Sequence, residues 1–172
     1  MKFLRSLKCA FRGIIYCINN ERNFRIHTAI AFYVLYFAAF FNFSKIQYMI
    51  LWLVISSVIT AEMCNSIVEK LCDNFFKNYS PLIKTVKDIA AGMVLFCSVF
   101  SAIIGLCLFY NPPILIKIFY YFIDNRINFL LLILSFAASF IYISISPAAL
   151  IKTSKEFIIK KLKRRNARGN EL

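Results

Sequence analysis

An all-α integral membrane protein is the fold class this sequence predicts, and three observations predict it. Of its 172 residues, 60% are hydrophobic, with a mean hydropathy of +0.69, more apolar than a soluble domain needs. Stretches such as Ile46–Ala61 and Ile89–Tyr110 carry no charge at all. The 21 Lys and Arg residues sit almost entirely between and beyond those stretches.

The elements follow in order. Phe3, Leu4, Leu7, Phe11, Ile14, Ile15 and Ile18 recur at helical spacing, with Lys2, Arg5, Lys8 and Arg12 on the other side. This predicts a basic amphipathic helix lying on an anionic leaflet. The same basic residues interrupt the first apolar stretch, and no small-residue cleavage site follows, so no cleavable signal peptide is expected. Asn19-Asn20 marks a turn. A first span runs from Ile26 to about Phe41. A second runs from about Ile46 to Cys64, with helix continuing to Asp73 beyond the hydrocarbon. The third is Ile89–Tyr110, closed by Asn111-Pro112-Pro113. Ile114–Ile123, with Tyr120 and Tyr121, reads as a short helix at the outer interface. A fourth span lies within Ile127–Ile151, with Pro147 near its inner end. A span needs about 20 residues, so the first two are short.

The basic residues orient the bundle. Lys2, Arg5, Lys8, Arg12, Arg22 and Arg25 precede the first span. Lys70, Lys77, Lys84 and Lys87 lie between the second and third. Lys152, Lys155, Lys160, Lys161, Lys163, Arg164, Arg165 and Arg168 form the tail. Only Lys45, Lys117 and Arg126 fall in the other loops, a split of 18 against 3 that places both termini in the cytoplasm. The net charge of +13 is thereby assigned to topology and anionic lipid, and no nucleic-acid partner is expected. Six cysteines form no CxxC pair and read as packing residues. The lone histidine, His27, excludes a two-histidine mechanism and a histidine-rich zinc site. No GxxxxGK[ST] loop, kinase glycine-rich loop or HRD pattern is present, so any phosphoryl transfer would use another scaffold.

The chemistry-bearing residues concentrate at one place. Glu62, Asn65, Glu69 and Asp73 fall within an arc of about 80° on one helix, at the inner end of an otherwise apolar stretch. A carboxylate near hydrocarbon is costly and normally faces a bundle interior or polar cavity. Short of water it is also a better base, which singles out Glu62; the plainer reading is a carboxylate that ends the span. Glu69 and Glu21 are candidate metal ligands, because Mg²⁺ takes few carboxylates and fills its shell with phosphate oxygens and water. Taken alone, Glu21 reads as a solvated turn residue. Lys87, followed by Asp88 ahead of the third span, could hold nucleotide phosphates, and alone it reads as a topological anchor. Ala90-Ala91-Gly92 offers small residues for close helix packing.

Together these segments resemble the prokaryotic diacylglycerol kinase family, which includes the undecaprenol kinases. The resemblance runs from about Phe3 to Tyr110. It rests on Ala10-Phe11-Arg12-Gly13, Glu21-Arg22-Asn23-Phe24-Arg25-Ile26-His27, Glu62-Met63-Cys64-Asn65-Ser66-Ile67-Val68-Glu69, Asp73 and Lys87-Asp88-Ile89-Ala90-Ala91-Gly92. It implies a three-span kinase core at residues 1–110 with a surface helix, usually a homotrimer with sites shared between protomers, in the bacterial plasma membrane. It implies transfer of the γ-phosphoryl group of MgATP to a lipid alcohol, undecaprenol or diacylglycerol, the Asn-Phe-Arg-Ile-His entry looking more like the undecaprenol type. By the same resemblance Glu62 is the catalytic base and Asn65 its polar support. Glu21 and Glu69 bind Mg²⁺ and nucleotide, Lys87 and Asp88 belong to the nucleotide site, and Asn78, Tyr79 and Ser80 touch it. Residues 111–172 are an extension with one added span and a basic tail. That tail is too short for the lipid phosphatase some relatives carry, and it has no histidine. Two other readings stand beside the kinase: a non-catalytic membrane assembly protein on the same scaffold, and a channel or transporter. The second is weakened by the scarcity of intramembrane polar residues.

Overall fold

The computed structural model describes residues 2–76, 80–147 and 149. Among them the chain forms six helices and no strand. α1 (Lys2–Asn20) is the predicted amphipathic helix: Lys2 to Tyr16 are all exposed, and Cys17 is its one buried residue. Phe3, Leu4, Leu7 and Phe11 stay uncovered by protein, as a helix seated among lipid headgroups requires. The break falls at Glu21, one residue past the Asn-Asn pair. Glu21 is extended (φ −107°, ψ 112°), so α1 and α2 (Arg22–Ala38) meet at an elbow.

Among the described residues three helices are long and apolar enough to cross a membrane: α3 (Lys45–Phe75), α4 (Pro81–Phe109) and α6 (Arg126–Ser144). α2 is shorter. Its 17 residues rise about 25 Å, against a hydrocarbon layer of roughly 30 Å. The rest of the predicted first span is a tight turn, in which Phe40 N–H donates to Phe37 O and Phe41 N–H to Ala38 O. α3 has the opposite excess. Its 31 residues rise about 46 Å, so it projects beyond the bilayer and carries its acidic end with it.

Helix ends follow local chemistry. α3 opens with a capping box absent from the sequence reading: Ser44 Oγ accepts from Gln47 N, and Gln47 Oε1 accepts from Ser44 N at 2.8 Å. α4 opens at Pro81, eight residues before the uncharged run, because proline suits the first turn of a helix. Lys84, Lys87 and Asp88 are therefore helical. α5 (Pro112–Asp124) matches the predicted interfacial helix, with Asn111 Oδ1 as its cap. Asn125 Oδ1 caps α6 by accepting from Ile127 N and Asn128 N. α6 stops at Ser144, three residues before Pro147, where a helix must yield.

α3 and α4 fold back on each other in the most extensive contact, α2 lies on α3, and α6 lies along the other side of α2. Lipid is as apolar as leucine, so shape and polar bonds hold such helices together. Aromatic rings close one end: Phe41 meets Phe109 at 4.9 Å and Phe43 meets it at 5.3 Å, while Phe40 and Phe37 reach Tyr121 and Phe122 of α5. Within α4 only Ala90 is buried. The expected close packing thus rests on Ala90, for Ala91 and Gly92 are exposed and a Cβ on Gly92 would meet nothing within 4 Å. Residues 152–168, which hold the basic tail, lie outside the described residues.

Candidate active site

The helical period places the acidic face of α3 against the α1–α2 elbow. Glu62 is 3% exposed and Asn65 4%, with Ser66 buried beside them. Glu69, two turns further along, is half-buried, and Asp73, one turn more, is exposed. The face therefore runs from the apolar core to the rim in one line. Ser66 Oγ donates to Glu62 O at 3.0 Å, which keeps that hydroxyl satisfied inside its own helix. Asn65 Nδ2 donates to Glu69 Oε1 at 3.1 Å. Asn65 Oδ1 is buried and has no partner among the described residues. A buried, unpaired amide oxygen is costly and points to a group not of this chain.

The elbow supplies the opposite wall. Glu62 lies close enough to Glu69 and Glu21 to feel both charges, and Cys17 feels Glu21 and Glu62. Burial, with Glu21 and Glu62 adding to it, pushes the Cys17 thiol up from its ordinary pKa. Glu21 Oε1 pairs with Lys70 Nζ at 3.2 Å, and the same ammonium stands 6.0 Å over the Tyr16 ring. On the rim, Lys87 pairs with Asp73 and is close enough to Glu69 to feel its charge. Ser80 is the N-cap residue of α4 without a side-chain cap bond. Asp88 is exposed, without an ion-pair partner among the described residues. Asn78 and Tyr79 lie outside the described residues.

Glu62, Asn65, Glu69 and Glu21 thus converge, with Asp73 and Lys87 at the outer edge. Two members escape the sequence reading. Lys70 reads there only as a topological charge, yet it pairs with Glu21. Cys17 reads as packing, yet it is buried close enough to Glu21 and Glu62 to feel both charges. Outside the site, Arg25, also counted for topology, is 6% exposed and hydrogen-bonded to carbonyls.

Among the described residues no three or more His, Cys, Asp or Glu side chains form a closed metal cage. Glu69, Glu21 and the free Asn65 Oδ1 nonetheless suit a hard cation that arrives with phosphate oxygens and keeps its water. Toward the membrane core, a cavity of about 690 Å³ opens between α2, α3 and α4, lined by His27, Ile30, Val58, Ile59 and Ser101 among others. Ile59 stands one helical turn from Glu62, so the recess ends about a turn short of the buried acid.

The sequence pattern of prokaryotic diacylglycerol kinase matches residues 8–109. The chain belongs to that family. An undecaprenol kinase from Bacillus subtilis is 38% identical over 108 residues, covering 63% of this chain and 88% of the relative. A diacylglycerol kinase from Synechocystis is 34% identical over 113 residues, covering 65% of this chain and 64% of that relative. No solved structure matches. The chain is a membrane protein of a lipid kinase family, and its match ends at the last residue of α4, so α5 and α6 lie beyond it.

Proposed function

We propose that this protein transfers the γ-phosphoryl group of ATP, with Mg²⁺, to the hydroxyl of a membrane lipid alcohol at the cytoplasmic boundary of the bilayer. The observation that carries the reading is Glu62. It is a nearly fully buried carboxylate, one helical turn from Ile59 in the lining of the apolar recess and near the charges of Glu69 and Glu21.

The recess delivers a lipid hydroxyl to the level of Glu62. Glu62 accepts the hydroxyl proton as the alcohol oxygen bonds to the γ-phosphorus, and the bond to the bridging β-phosphate oxygen breaks to release ADP. Asn65 keeps Glu69 in place through its amide. Glu69 and Glu21 would hold Mg²⁺, which neutralises phosphate charge when bound. Lys87 meets phosphate at the rim as a point charge, in competition with Asp73, and Asp88, Ser80, Asn78 and Tyr79 complete the nucleotide side. Most of the catalysis is positioning and charge neutralisation. Undecaprenol is the first acceptor to test, since the relative covered over 88% of its length bears that name; diacylglycerol is second.

The distribution of basic residues supports a topology with both termini and the acidic site in the cytoplasm, where nucleotide is available. We assign the protein to the bacterial plasma membrane and expect a homotrimer, with the tail against anionic lipid. The test is labelled-phosphate transfer from ATP to a panel of lipid alcohols in mixed micelles, with and without chelation of divalent cations. Transfer to no lipid alcohol, with ATP binding intact, would overturn the reading.

A further inference from the structure

Arg25 is the buried charge that the reaction does not use. It lies one turn into α2, and its backbone N–H donates to Glu21 O at 3.3 Å. Neither ion pair found among the described residues involves it. Its guanidinium goes to two backbone carbonyls instead. Nη1 donates to Ile18 O at 3.1 Å, while Nε and Nη2 donate to Ile143 O at 3.3 and 3.2 Å. Both acceptors belong to helix ends, Ile18 in the last turn of α1 and Ile143 in the last turn of α6. Helix C-termini leave carbonyls unpaired and carry partial negative charge, so a cation is favoured there. Ile143 is a special case. Its intrahelical donor would be the N–H of residue 147, which is proline and has none. The orphaned carbonyl takes the two parallel donors that arginine, and not lysine, can supply.

The rest of α6 is fastened to α2 in register with this contact. Thr28 Oγ1 meets Tyr142 Oη at 3.1 Å. Tyr33 Oη meets Ser139 Oγ at 2.9 Å and donates to Ser135 Oγ at 3.3 Å, and the Tyr33 ring stacks on Phe136 at 4.6 Å. Such bonds cannot slip by a turn without stranding polar groups in hydrocarbon. α6 lies outside the segment that matches the kinase family.

We infer that α6 is a positioning strut for the acidic site: through Arg25 it locks the α1–α2 elbow and so holds Glu21 and Cys17 against Glu62 and Glu69. Arg25 is a positioning residue, since its guanidinium bonds to carbonyls of α1 and α6 and to none of the carboxylates. The value of the strut for catalysis rests on the proposed kinase reading; its value for the elbow does not.

The test uses full-length protein in which Cys17 is the only cysteine, with maleimide labelling of Cys17 and ATP kinetics read side by side. Arg25→Lys keeps the charge and loses the fork. It should raise the Cys17 labelling rate about tenfold, as a locally opened elbow would. It should raise KM for ATP about fivefold, with kcat little changed, because Glu21 is displaced and Glu62 is not. The double variant Ser135→Ala, Ser139→Ala loosens α6 without touching the elbow and should move both readouts in the same direction by less. Unchanged labelling in Arg25→Lys would overturn the inference. So would a response to Arg25→Lys with none to the serine pair, which would leave Ile18 as the only acceptor that matters. Absent transfer in every form, with labelling still responding, would sink the kinase reading and keep the strut.

Discussion

Glu62 is the first charged group after the uncharged run of α3, and its neighbours are fixed before any substrate arrives: Ser66 is satisfied within the helix and Asn65 is tied to Glu69. Glu62→Gln keeps the shape and removes the carboxylate we propose as base. It should lower transfer by about 10²–10⁴-fold with ATP affinity intact, measured by single-turnover kinetics and nucleotide binding. A loss confined to ATP affinity would move Glu62 to the nucleotide side. Cys17 gives a second test. Burial and the nearby Glu21 and Glu62 charges all disfavour its thiolate, so its alkylation should be slow at neutral pH and climb only in alkaline buffer. A pH–rate profile of the form with Cys17 as its one cysteine measures this. The acidic face was legible in the sequence because four polar residues at spacings of three and four stand out after an uncharged run. Lys70 and Arg25 were not. A basic residue at a span's edge has the same sequence signature whether it is solvated or aimed at one oxygen, and only the folded partner decides.

At the scale of the elements, each helix end rests on a visible cause, and two of them can be probed. The Ser44–Gln47 box caps α3 on the water side. Ser44→Ala should cost about 1 kcal/mol, read as a lowered unfolding midpoint in detergent with activity per folded molecule unchanged. Gly92 sits mid-helix with open space where a Cβ would go. Gly92→Ala should therefore be neutral, or stabilise the single chain by up to about 1 kcal/mol. A marked loss of stability would show that another copy packs closely against that face. The boundaries of α1, α4 and α6 could be read from Asn19-Asn20, Asn111-Pro112 and Pro147 to within a few residues. The early start of α4 was missed because Lys84, Lys87 and Asp88 suggested a loop, whereas Pro81 had already set the first turn.

For the whole molecule, the number of crossings fixes the geography of the site. Three helices are long enough by themselves, and α2 is short. The distribution of basic residues favours an even count, the topology proposed above, with the acidic face and both ends of the chain on one side. Reporter fusions at the two ends and at Asn111 check this. The ends should report cytoplasm and Asn111 the opposite side, whereas α2 lying on the surface would put the two ends on opposite sides. The extra span itself could be seen in the sequence. Its seat along α2 could not, for that depends on Tyr33, Thr28 and Arg25 finding Ser139, Tyr142 and Ile143 across more than a hundred residues.

The unequal lengths of α2 and α3 have a further consequence. A helix of 17 residues falls short of the hydrocarbon layer, whereas α3 crosses it with length to spare. One carries Glu21 at its mouth and the other carries Glu62 and Glu69. Thickening the lipid matrix must slide or tilt the first against the second, and so change the gap between the acids. The protein should behave as a gauge of its surroundings, fastest in reconstituted vesicles of short-chain phospholipid and slower as the acyl chains lengthen.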